Sequence, residues 1–285
     1  MRAASAYIQS RRLGAMTVTA INDGSITLPV ELNVPREVWE REIRTDGAGR
    51  VRADSHVLLV RAGSATILID AGLDDPGSEW DQRFLEEWPG AVRTPGVAAG
   101  LAALGVRAQD VTHVLVTHAH FDHVLGLAVQ RDGRLVPRYP NARVLIGRAD
   151  WETASEQHLG PEQRRRIGAV AEAGLLELFD SEREVLQGVT MIPAPGESPG
   201  HSLIQITSGQ ETLYAIGDLF HYPAEVAHPD WMVPWAEHQQ MRASRERLLA
   251  DAVASSALIV FTHETFPPWG RIVRTEHGGF RWQRV

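Results

Sequence analysis

The sequence predicts a mixed α/β fold, a four-layer αββα sandwich in which two β-rich halves pack together beneath flanking helices. Short apolar strands alternate with helical segments along the chain, and both halves contain both kinds of element. No stretch has the composition of a linker. We therefore expect a single domain over residues 16–285. Met16 is a candidate natural start, so residues 1–15 are predicted to be an N-terminal extension.

The first part of the chain is predicted to contain two hairpins and two helices. The hairpin strands are Met16–Asn22 with Ser25–Leu28, and His56–Arg61 with Ala65–Asp70. Proline suits the first position of a helix, so Pro35 opens a helix that extends to Arg44. A second helix, Pro95–Leu104, ends at Gly105. Thr45–Arg52 is predicted to be a loop, and Asp74–Gly90 a polar excursion at the surface.

The remaining elements continue the alternation of strands and helices. Apolar strands are predicted at Val111–Thr117, Ala142–Ile146, Leu213–Ile216 and Leu258–Phe261, with mostly short strands over 175–212. Helices are predicted at Arg148–Gln157, Pro161–Ala173 and Gln239–Ser255. The last helix is amphipathic, since Met241, Leu248 and Leu249 fall on one face.

Composition excludes several classes of protein. The chain has 285 residues, of which 44% are hydrophobic and 22% charged, which is typical of a globular protein. It has no cysteine, so disulfides, thiolate metal sites and Cys nucleophiles are excluded. A formal net charge of −8 argues against a nucleic-acid partner. Without a long apolar run or a secretory signal, we expect a cytoplasmic protein with no membrane partner.

Ligand-type side chains follow several predicted strands at the point where each strand ends. The strand Val111–Thr117 runs directly into the segment 118–123, which reads His-Ala-His-Phe-Asp-His. Further ligand-type residues follow two later strands and a Pro-Gly turn: Asp218, His263 and His201. Sites in α/β proteins usually form at strand ends, so we expect these residues to meet.

The spacing predicts two divalent metal ions per chain. His118 and His120 are two residues apart, so their side chains fall on one side of an extended backbone. Asp218 carries two carboxylate oxygens and would bridge both ions. The first ion would be held by His118, His120 and His201, and the second by Asp122, His123 and His263. Nitrogen and oxygen donors suit Zn²⁺ first, and also Mn²⁺, Fe²⁺ or Co²⁺.

A solvated, histidine-rich loop is the alternative interpretation of segment 118–123. Burying four polar groups within six residues directly after a buried strand is costly, so a common binding partner for them is favoured over a solvated loop. Taken alone, His201 and His263 would be ordinary loop histidines, and Asp218 a turn residue. The cluster favours their assignment as ligands.

The pattern resembles the metallo-β-lactamase fold superfamily of metal-dependent hydrolases. Segment 118–123 matches the signature of that family. Ile67–Gly72 resembles an earlier family motif whose aspartate, here Asp70, supports the site without binding metal. Pro199-Gly200-His201, Gly217-Asp218 and His263 follow in the family's order. The resemblance covers nearly the whole chain from about Met16 and implies the αββα fold.

Within the superfamily, the chain looks most like the methyl parathion hydrolase-like enzymes and the acyl-homoserine-lactone lactonases. The segments that carry this resemblance are 139–142, 217–218 with 221–223, 228–231, and His263 with Phe266-Pro267. The resemblance implies hydrolysis of a lactone, a carboxylic ester or a phosphotriester. The true β-lactamases differ, since their second metal site typically uses a cysteine.

The chain departs from its relatives at three positions. Glu197 stands where relatives often have a histidine that is not a metal ligand, and Leu125 stands where glycine is common. Lactonases often carry a tyrosine three residues after the bridging aspartate, and here that residue is His221. We expect His221 either to hydrogen-bond the substrate or to pack beside the site. An apolar substrate wall is predicted from Trp231, Trp235 and Phe266.

The predicted activity is hydrolysis of a small-molecule, ester-like substrate. Two ions roughly 3.5–4 Å apart would lower the pKa of a bridging water towards about 7, so that a hydroxide is the nucleophile. Asp122 would carry the proton to the leaving group. The alternatives are a thioester hydrolase of the glyoxalase II kind and a metal-dependent binding protein. A flavodiiron oxidoreductase would need a carboxylate in place of His120, so His120 argues against that class.

Relatives in this branch are often homodimers, which implies a homodimer here.

Overall fold

The computed structural model describes residues 6–155 and 158–285. Over those residues two β-sheets pack face to face, and helices cover the outer surface of each sheet. This is the four-layer αββα sandwich predicted from the sequence, and the prediction is confirmed.

The strands and helices are numbered in chain order. The strands are β1 (Ile8–Leu13), β2 (Met16–Pro29), β3 (Arg50–Ala62), β4 (Ala65–Ile69), β5 (Val92–Arg93), β6 (His113–Leu115), β7 (Ala128–Arg131), β8 (Arg134–Pro137), β9 (Arg143–Gly147), β10 (Leu176–Phe179), β11 (Arg183–Leu186), β12 (Val189–Pro193), β13 (Ser202–Ser208), β14 (Glu211–Ala215), β15 (Leu258–Val260), β16 (Trp269–Arg274) and β17 (Phe280–Arg284). The helices are α1 (Arg36–Trp39), α2 (Glu79–Glu87), α3 (Gly96–Ala103), α4 (Phe121–Val124), α5 (Arg148–Glu152), α6 (Pro161–Glu172) and α7 (His238–Ala254).

The order of the strands brings several strand ends to one edge of the sandwich. In the part of the chain that is described, the first sheet runs β1-β2-β3-β4-β6-β9-β10, with β5 paired to β2, and the second runs β11 to β17 in sequence order. Strands β4, β6, β9 and β10 are parallel neighbours, and so are β14 and β15. Parallel strands end at the same edge, so the segments that follow them are neighbours in space.

The main core lies between the two sheets. Alternate side chains of the first sheet, such as Ile67 and Leu115, pack against Ile204 and Leu213 of the second. A fully buried aliphatic side chain stabilises a fold by about 1.5–3 kcal/mol, so this interface holds the two halves together. Helices α3 and α6 cover the outer face of the first sheet, and α7 covers that of the second.

Several local predictions differ from the structure. The predicted turn at Asp23-Gly24 is a bulge inside the single long strand β2, which pairs with β3 on both sides of it. A Cβ at Gly24 would lie 2.7 Å from the carbonyl oxygen of Val92, so glycine allows β5 to approach. The predicted helix Pro35–Arg44 is shortened to α1. Its Trp39 packs in a small cluster with Ile43, which the helix does not reach.

Three further boundaries are also different. Strand β3 begins at Arg50, inside the predicted loop Thr45–Arg52. The predicted excursion Asp74–Gly90 contains α2, because Phe84 is buried and Asp81 pairs with the half-buried Arg93. Helix α5 ends at Glu152, and the predicted end of that helix, Gln157, lies outside the described residues.

The first sheet begins before Met16. Strand β1 pairs with β2 from Ile8↔Ile21 to Leu13↔Met16, so part of the predicted extension 1–15 is an edge strand of the domain. Ile8 and Leu13 are buried, which is the physical reason for the pairing. Residues 1–5 lie outside the described residues. Among the helices that are described, none is long and apolar enough to cross a bilayer.

Candidate metal centre

The predicted ligands meet at the edge where β6, β14 and β15 end. His118 follows β6, Asp218 follows β14 and His263 follows β15. The segment 118–123 then turns into α4, which redirects Asp122 and His123 after the extended pair His118 and His120. Three separate stretches of chain therefore bring their donor atoms to one place.

The first group of donors contains His118, His120, Glu197 and Asp218, with one donor atom from each residue within 4.8 Å of the others. Nε2 of His118 lies 3.0 Å from Nδ1 of His120. The same nitrogen is 3.6 Å from Oε2 of Glu197 and 3.6 Å from Oδ2 of Asp218. Such distances are close to the roughly 3.4 Å edge of a tetrahedron with 2.0–2.1 Å metal–ligand bonds.

The second group contains Asp122, His123 and His263. Oδ2 of Asp122 lies 3.7 Å from Nε2 of His123 and 3.8 Å from Nε2 of His263. Asp218 belongs to both groups by geometry: its Oδ1 is 3.4 Å from Nε2 of His123, and its Oδ2 is 2.9 Å from Nε2 of His263. Asp218 therefore lies between the two groups, and its role as a bridging ligand stays a prediction.

The donor set fits a pair of divalent cations. Nε2 of His123, Oδ1 of Asp218 and Oε2 of Glu197 are buried and have no hydrogen-bond partner. Leaving a buried polar atom unsatisfied costs about 1–3 kcal/mol, so three such atoms among the donor residues favour a bound cation as their partner. Burial, with repulsion from Asp218, raises the pKa of Glu197 well above its ordinary value. A cation between these groups would give the unsatisfied atoms a partner and would offset the repulsion between the carboxylates of Glu197 and Asp218.

Hydrogen bonds outside the two groups fix the orientation of the histidines. Nδ1 of His123 lies 2.9 Å from Oδ2 of Asp70, and Nδ1 of His263 lies 2.9 Å from the carbonyl oxygen of Asp54. Asp70 also accepts the backbone N–H of Thr117 at 2.8 Å. Each contact leaves Nε2 facing the site. Asp70 supports the site from outside the two groups, as the resemblance implies.

Burial opposes the charged form of His263, yet the carboxylates of Asp218 and Asp122 raise its pKa to about 9. A metal ion bound at this nitrogen would replace that proton, because an imidazole ligand must be deprotonated.

Asp150 joins the two loops that carry the first group. Its carboxylate accepts the backbone N–H of Ala119 at 2.9 Å, the hydroxyl of Ser198 at 3.0 Å and the backbone N–H of Gly200 at 2.6 Å. Burial raises the pKa of Asp150 to about 6, so it is largely ionised at neutral pH. The sequence does not identify Asp150, because nothing in the segment 148–152 indicates that its carboxylate accepts hydrogen bonds from two distant loops.

His201 and His221 lie beside the two groups and not within them. Nε2 of His201 accepts the backbone N–H of Asp218 at 3.1 Å, and its Nδ1 is 3.1 Å from the carbonyl oxygen of Ala194. Its role as a ligand stays a prediction. Nε2 of His221 is 3.6 Å from Oδ2 of Asp218. Burial lowers the pKa of His221 to about 3, so this imidazole is neutral at pH 7.

Sequence reasoning missed Glu197 as a donor. The sequence comparison marks position 197 only as a departure from the histidine common in similar sequences, and it predicts that metal binding survives this change. The available signal was the type of the replacement, since an acidic residue four positions before a predicted ligand can itself bind a cation. The structure buries Glu197 completely and turns it toward His118 and His120.

A largely apolar cavity of about 270 Å³ opens above the two groups. Its apolar lining comes from both sheets and their loops: Ile26, Leu28, Pro29, Val51, Ala53, Trp88, Phe121, Val233 and Trp235. Its polar floor is formed by His120, Asp122, Asp218, His221 and His263. Of the residues predicted to form a substrate wall, Trp235 lines this cavity. Trp231 instead packs beside Trp39, and Phe266 packs at the edge of the inter-sheet core.

A buried ion pair anchors the loop that carries His221. Glu225 accepts the backbone N–H of His221 and that of Tyr222, and its other oxygen pairs with Arg245 at 3.0 Å. Arg245 on α7 also donates to the carbonyl oxygens of Leu219 and Trp231. Both charged groups are fully buried, so breaking the pair would leave an uncompensated charge.

Comparisons with known proteins point to one family. A sequence profile described as the metallo-beta-lactamase superfamily matches residues 51–263. A probable metallo-hydrolase of Mycobacterium tuberculosis is 28% identical over 185 residues, or 59% of this chain. The match spans only 57% of that relative's length. An N-acyl homoserine lactonase of Bacillus cereus is 21% identical over 216 residues, covering 72% of this chain and 79% of the relative.

Solved structures share the fold over almost the whole chain. AidC, a dizinc quorum-quenching lactonase solved with a product, superposes with a TM-score of 0.80 at 22% identity, covering 98% of this chain and 97% of that one. The hydrolase AbOPH, described as belonging to the beta lactamase superfamily, superposes with a TM-score of 0.81 at 21% identity, covering 99% and 98%. At these identities the likeness establishes the fold.

Proposed function

Because this chain belongs to the metallo-β-lactamase superfamily, we propose that it is a metal-dependent hydrolase of ester-like bonds, with lactones as the first substrate class. The observation that carries the proposal is the position of Asp218, which joins two donor groups at the polar floor of an apolar cavity. Lactonases among the relatives and structural neighbours support this choice. Carboxylic esters and phosphotriesters are the other ester-like candidates.

The residues would hold two divalent ions, with Zn²⁺ as the first candidate and Mn²⁺, Fe²⁺ or Co²⁺ as alternatives. His118, His120 and Asp218 would hold the first ion, with His201 as its further predicted ligand. Asp122, His123, His263 and Asp218 would hold the second. Bound divalent ions lower the pKa of water towards about 7 and polarise a carbonyl or phosphoryl oxygen. Asp70 and Asp54 keep the imidazoles of His123 and His263 in the tautomer that presents Nε2.

Asp122 is the residue placed to move a proton. Its carboxylate lines the cavity, and Oδ2 accepts a hydrogen bond from the hydroxyl of Ser55 at 3.2 Å. The carboxylate can take the proton released when water attacks the substrate and return it to the leaving oxygen. The hydrogen bond from Ser55 restrains the carboxylate while it carries the proton.

His221 is placed to orient the substrate. Its ring lies on the cavity floor with a centroid 6.0 Å from that of His263, and its Nδ1 is buried without a hydrogen-bond partner. A neutral imidazole donates from one nitrogen and accepts at the other. We assign His221 a hydrogen bond to a polar group of the substrate beside the scissile bond.

The apolar lining sets the expected substrate preference. Burying one methylene group is worth about 0.8 kcal/mol, which corresponds to roughly a fourfold change in binding. Among acyl-homoserine lactones, kcat/KM should therefore rise by up to about fourfold per added methylene until the cavity is filled. Steady-state hydrolysis of lactones with graded acyl chains, monitored through proton release, measures this slope.

The same assay separates the alternatives when the panel is widened. p-Nitrophenyl esters and paraoxon-type triesters test the other ester-like bonds, and S-lactoylglutathione tests the thioester reaction. Faster turnover of S-lactoylglutathione than of any lactone would favour the glyoxalase II-like reaction. Two ions per chain without turnover of any substrate would favour a metal-dependent binding protein.

A further inference from the structure

We propose that Glu197 is itself a ligand of the first metal ion, so that three carboxylates of this chain, Asp122, Glu197 and Asp218, surround the metal pair. The inference rests on the paired-metal site of the proposed function and adds a donor to it. In the sequences that this chain resembles, the corresponding residue is often a histidine outside the ligand set. The added ligand would therefore be a property of this chain.

The two carboxylate oxygens of Glu197 lie beside the imidazole nitrogens of His118 and His120. Oε2 of Glu197 lies 3.6 Å from Nε2 of His118, and Oε1 lies 3.1 Å from Nδ1 of His120. An ion bound to both imidazoles with ligand bonds of 2.0–2.2 Å would be within reach of this carboxylate. Asp218 completes the group from the opposite loop.

Only one of the two carboxylate oxygens of Glu197 accepts a hydrogen bond. Nε1–H of Trp235 donates to Oε1 at 3.0 Å, while Oε2 is buried without any hydrogen-bond partner. Trp235 therefore fixes the rotation of the carboxylate and leaves Oε2 facing His118. A carboxylate that ligates a metal is usually held by such an outer hydrogen bond.

The backbone that carries Glu197 is held in place by its neighbours. The preceding Gly196 has φ 135°, and a Cβ there would lie 2.3 Å from the backbone of Met241, so the loop fits tightly against α7. The backbone N–H of Gly196 donates to the carbonyl oxygen of Ser198, and the carbonyl oxygen of Gly196 accepts the N–H of Glu237. Ser198 is in turn held by Asp150.

The hydrogen bonds of His201 and of Glu197 differ in this structure. A neutral imidazole has one free lone pair, and that of His201 accepts the backbone N–H of Asp218. Oε2 of Glu197 has no such competing bond. With Glu197 the first group supplies two nitrogen and two carboxylate donors, which are ligand types that Zn²⁺ accepts.

The third carboxylate also changes the charge of the site. Two divalent ions with Asp122 and Asp218 alone would keep two positive charges, and Glu197 lowers this to one. Carboxylate oxygen is a harder donor than imidazole nitrogen, so the first position should accept Mn²⁺ more readily than a three-histidine set would.

Metal binding by a matched pair of variants tests the assignment. Glu197→Gln removes the anionic donor and keeps the size of the side chain. Glu31→Gln removes a carboxylate that lines the same cavity at its exposed mouth, away from both groups. Affinities for Zn²⁺ and Co²⁺ are measured by competition with a chromogenic chelator, and metal content by mass spectrometry. We expect E197Q to bind one of its two ions at least about 100-fold more weakly, and E31Q to bind both as the wild type does.

The outcomes separate this inference from the proposed function. A wild-type protein that retains no ion would overturn both. A wild-type protein with two ions, beside an E197Q variant of equal affinity, would overturn the role of Glu197 alone. If E197Q does not fold, a crystal structure of the Co²⁺-loaded wild type decides the question. A Glu197 oxygen about 2.0–2.2 Å from an ion would support the assignment, and a separation above about 3 Å would refute it.

Discussion

Replacing Asp218 by asparagine is expected to abolish tight binding of both ions and to lower kcat/KM by at least about 10³-fold, or roughly 4 kcal/mol of transition-state stabilisation. The reason is its shared position: Oδ1 faces His123 and Oδ2 faces His118 and His263. Asparagine has nearly the same shape but lacks the negative charge. Metal content after dialysis and steady-state lactone hydrolysis measure the two effects.

Asp70→Asn is the control for the Asp218 variant. Asp70 is a buried carboxylate of the same kind, but it contacts His123 from outside the two donor groups. Loss of such an outer contact typically costs 10–100-fold in metal affinity or activity. We therefore expect a smaller loss for D70N than for D218N. A D218N variant that still held two ions would show that Asp218 does not bridge them.

Replacing Asp122 by asparagine is expected to lower turnover by about 10²–10⁴-fold, the range typical of a lost general acid or base. Metal content should fall much less, because His123, His263 and Asp218 would remain around the second ion. The comparison needs kcat and metal stoichiometry from the same preparation.

Ser55→Ala is the matched variant for Asp122. It removes only the hydroxyl that donates to Oδ2 of Asp122, so it should lower kcat by less than about tenfold. Unchanged turnover in D122N would rule out the proton-carrying role. A loss of turnover that only mirrors a loss of metal would assign Asp122 to binding alone.

Much of the site could be predicted because its signals are local. The segment 118–123 places four ligand-type residues directly after a buried strand. Burying these polar side chains is costly, and metal binding would compensate for that cost. Asp218 and His263 follow strands that run parallel to their neighbours, so the topology brings them to the same edge. The sequence therefore predicted the place of Asp218 beside the segment 118–123, and its role as a bridging ligand stays a prediction.

The features that the sequence missed depend on contacts between distant segments. Glu197 lies in a loop, and its burial depends on Trp235 and on the fit of Gly196 against α7. Asp150 can accept hydrogen bonds from Ala119 and Gly200 only because the fold brings the loops that contain them together. Local spacing carries no information about either arrangement.

The differences in the fold have a similar cause. The dipeptide Asp23-Gly24 is a strong local signal for a turn, but pairing with β3 continues across it as a bulge. Strand β1 is short and amphipathic, and its apolar residues Ile8 and Leu13 are buried only because β2 offers a free edge. Tertiary pairing overrides local propensity at both places.

If the converging side chains hold two ions that the reaction requires, activity must depend on added metal. Metal-free protein is titrated with Zn²⁺ while hydrolysis of an acyl lactone is followed. We expect negligible turnover without metal and a rise that reaches its plateau near two equivalents per chain. Turnover that is independent of added metal, or a protein that retains no ion at any concentration, would contradict this expectation.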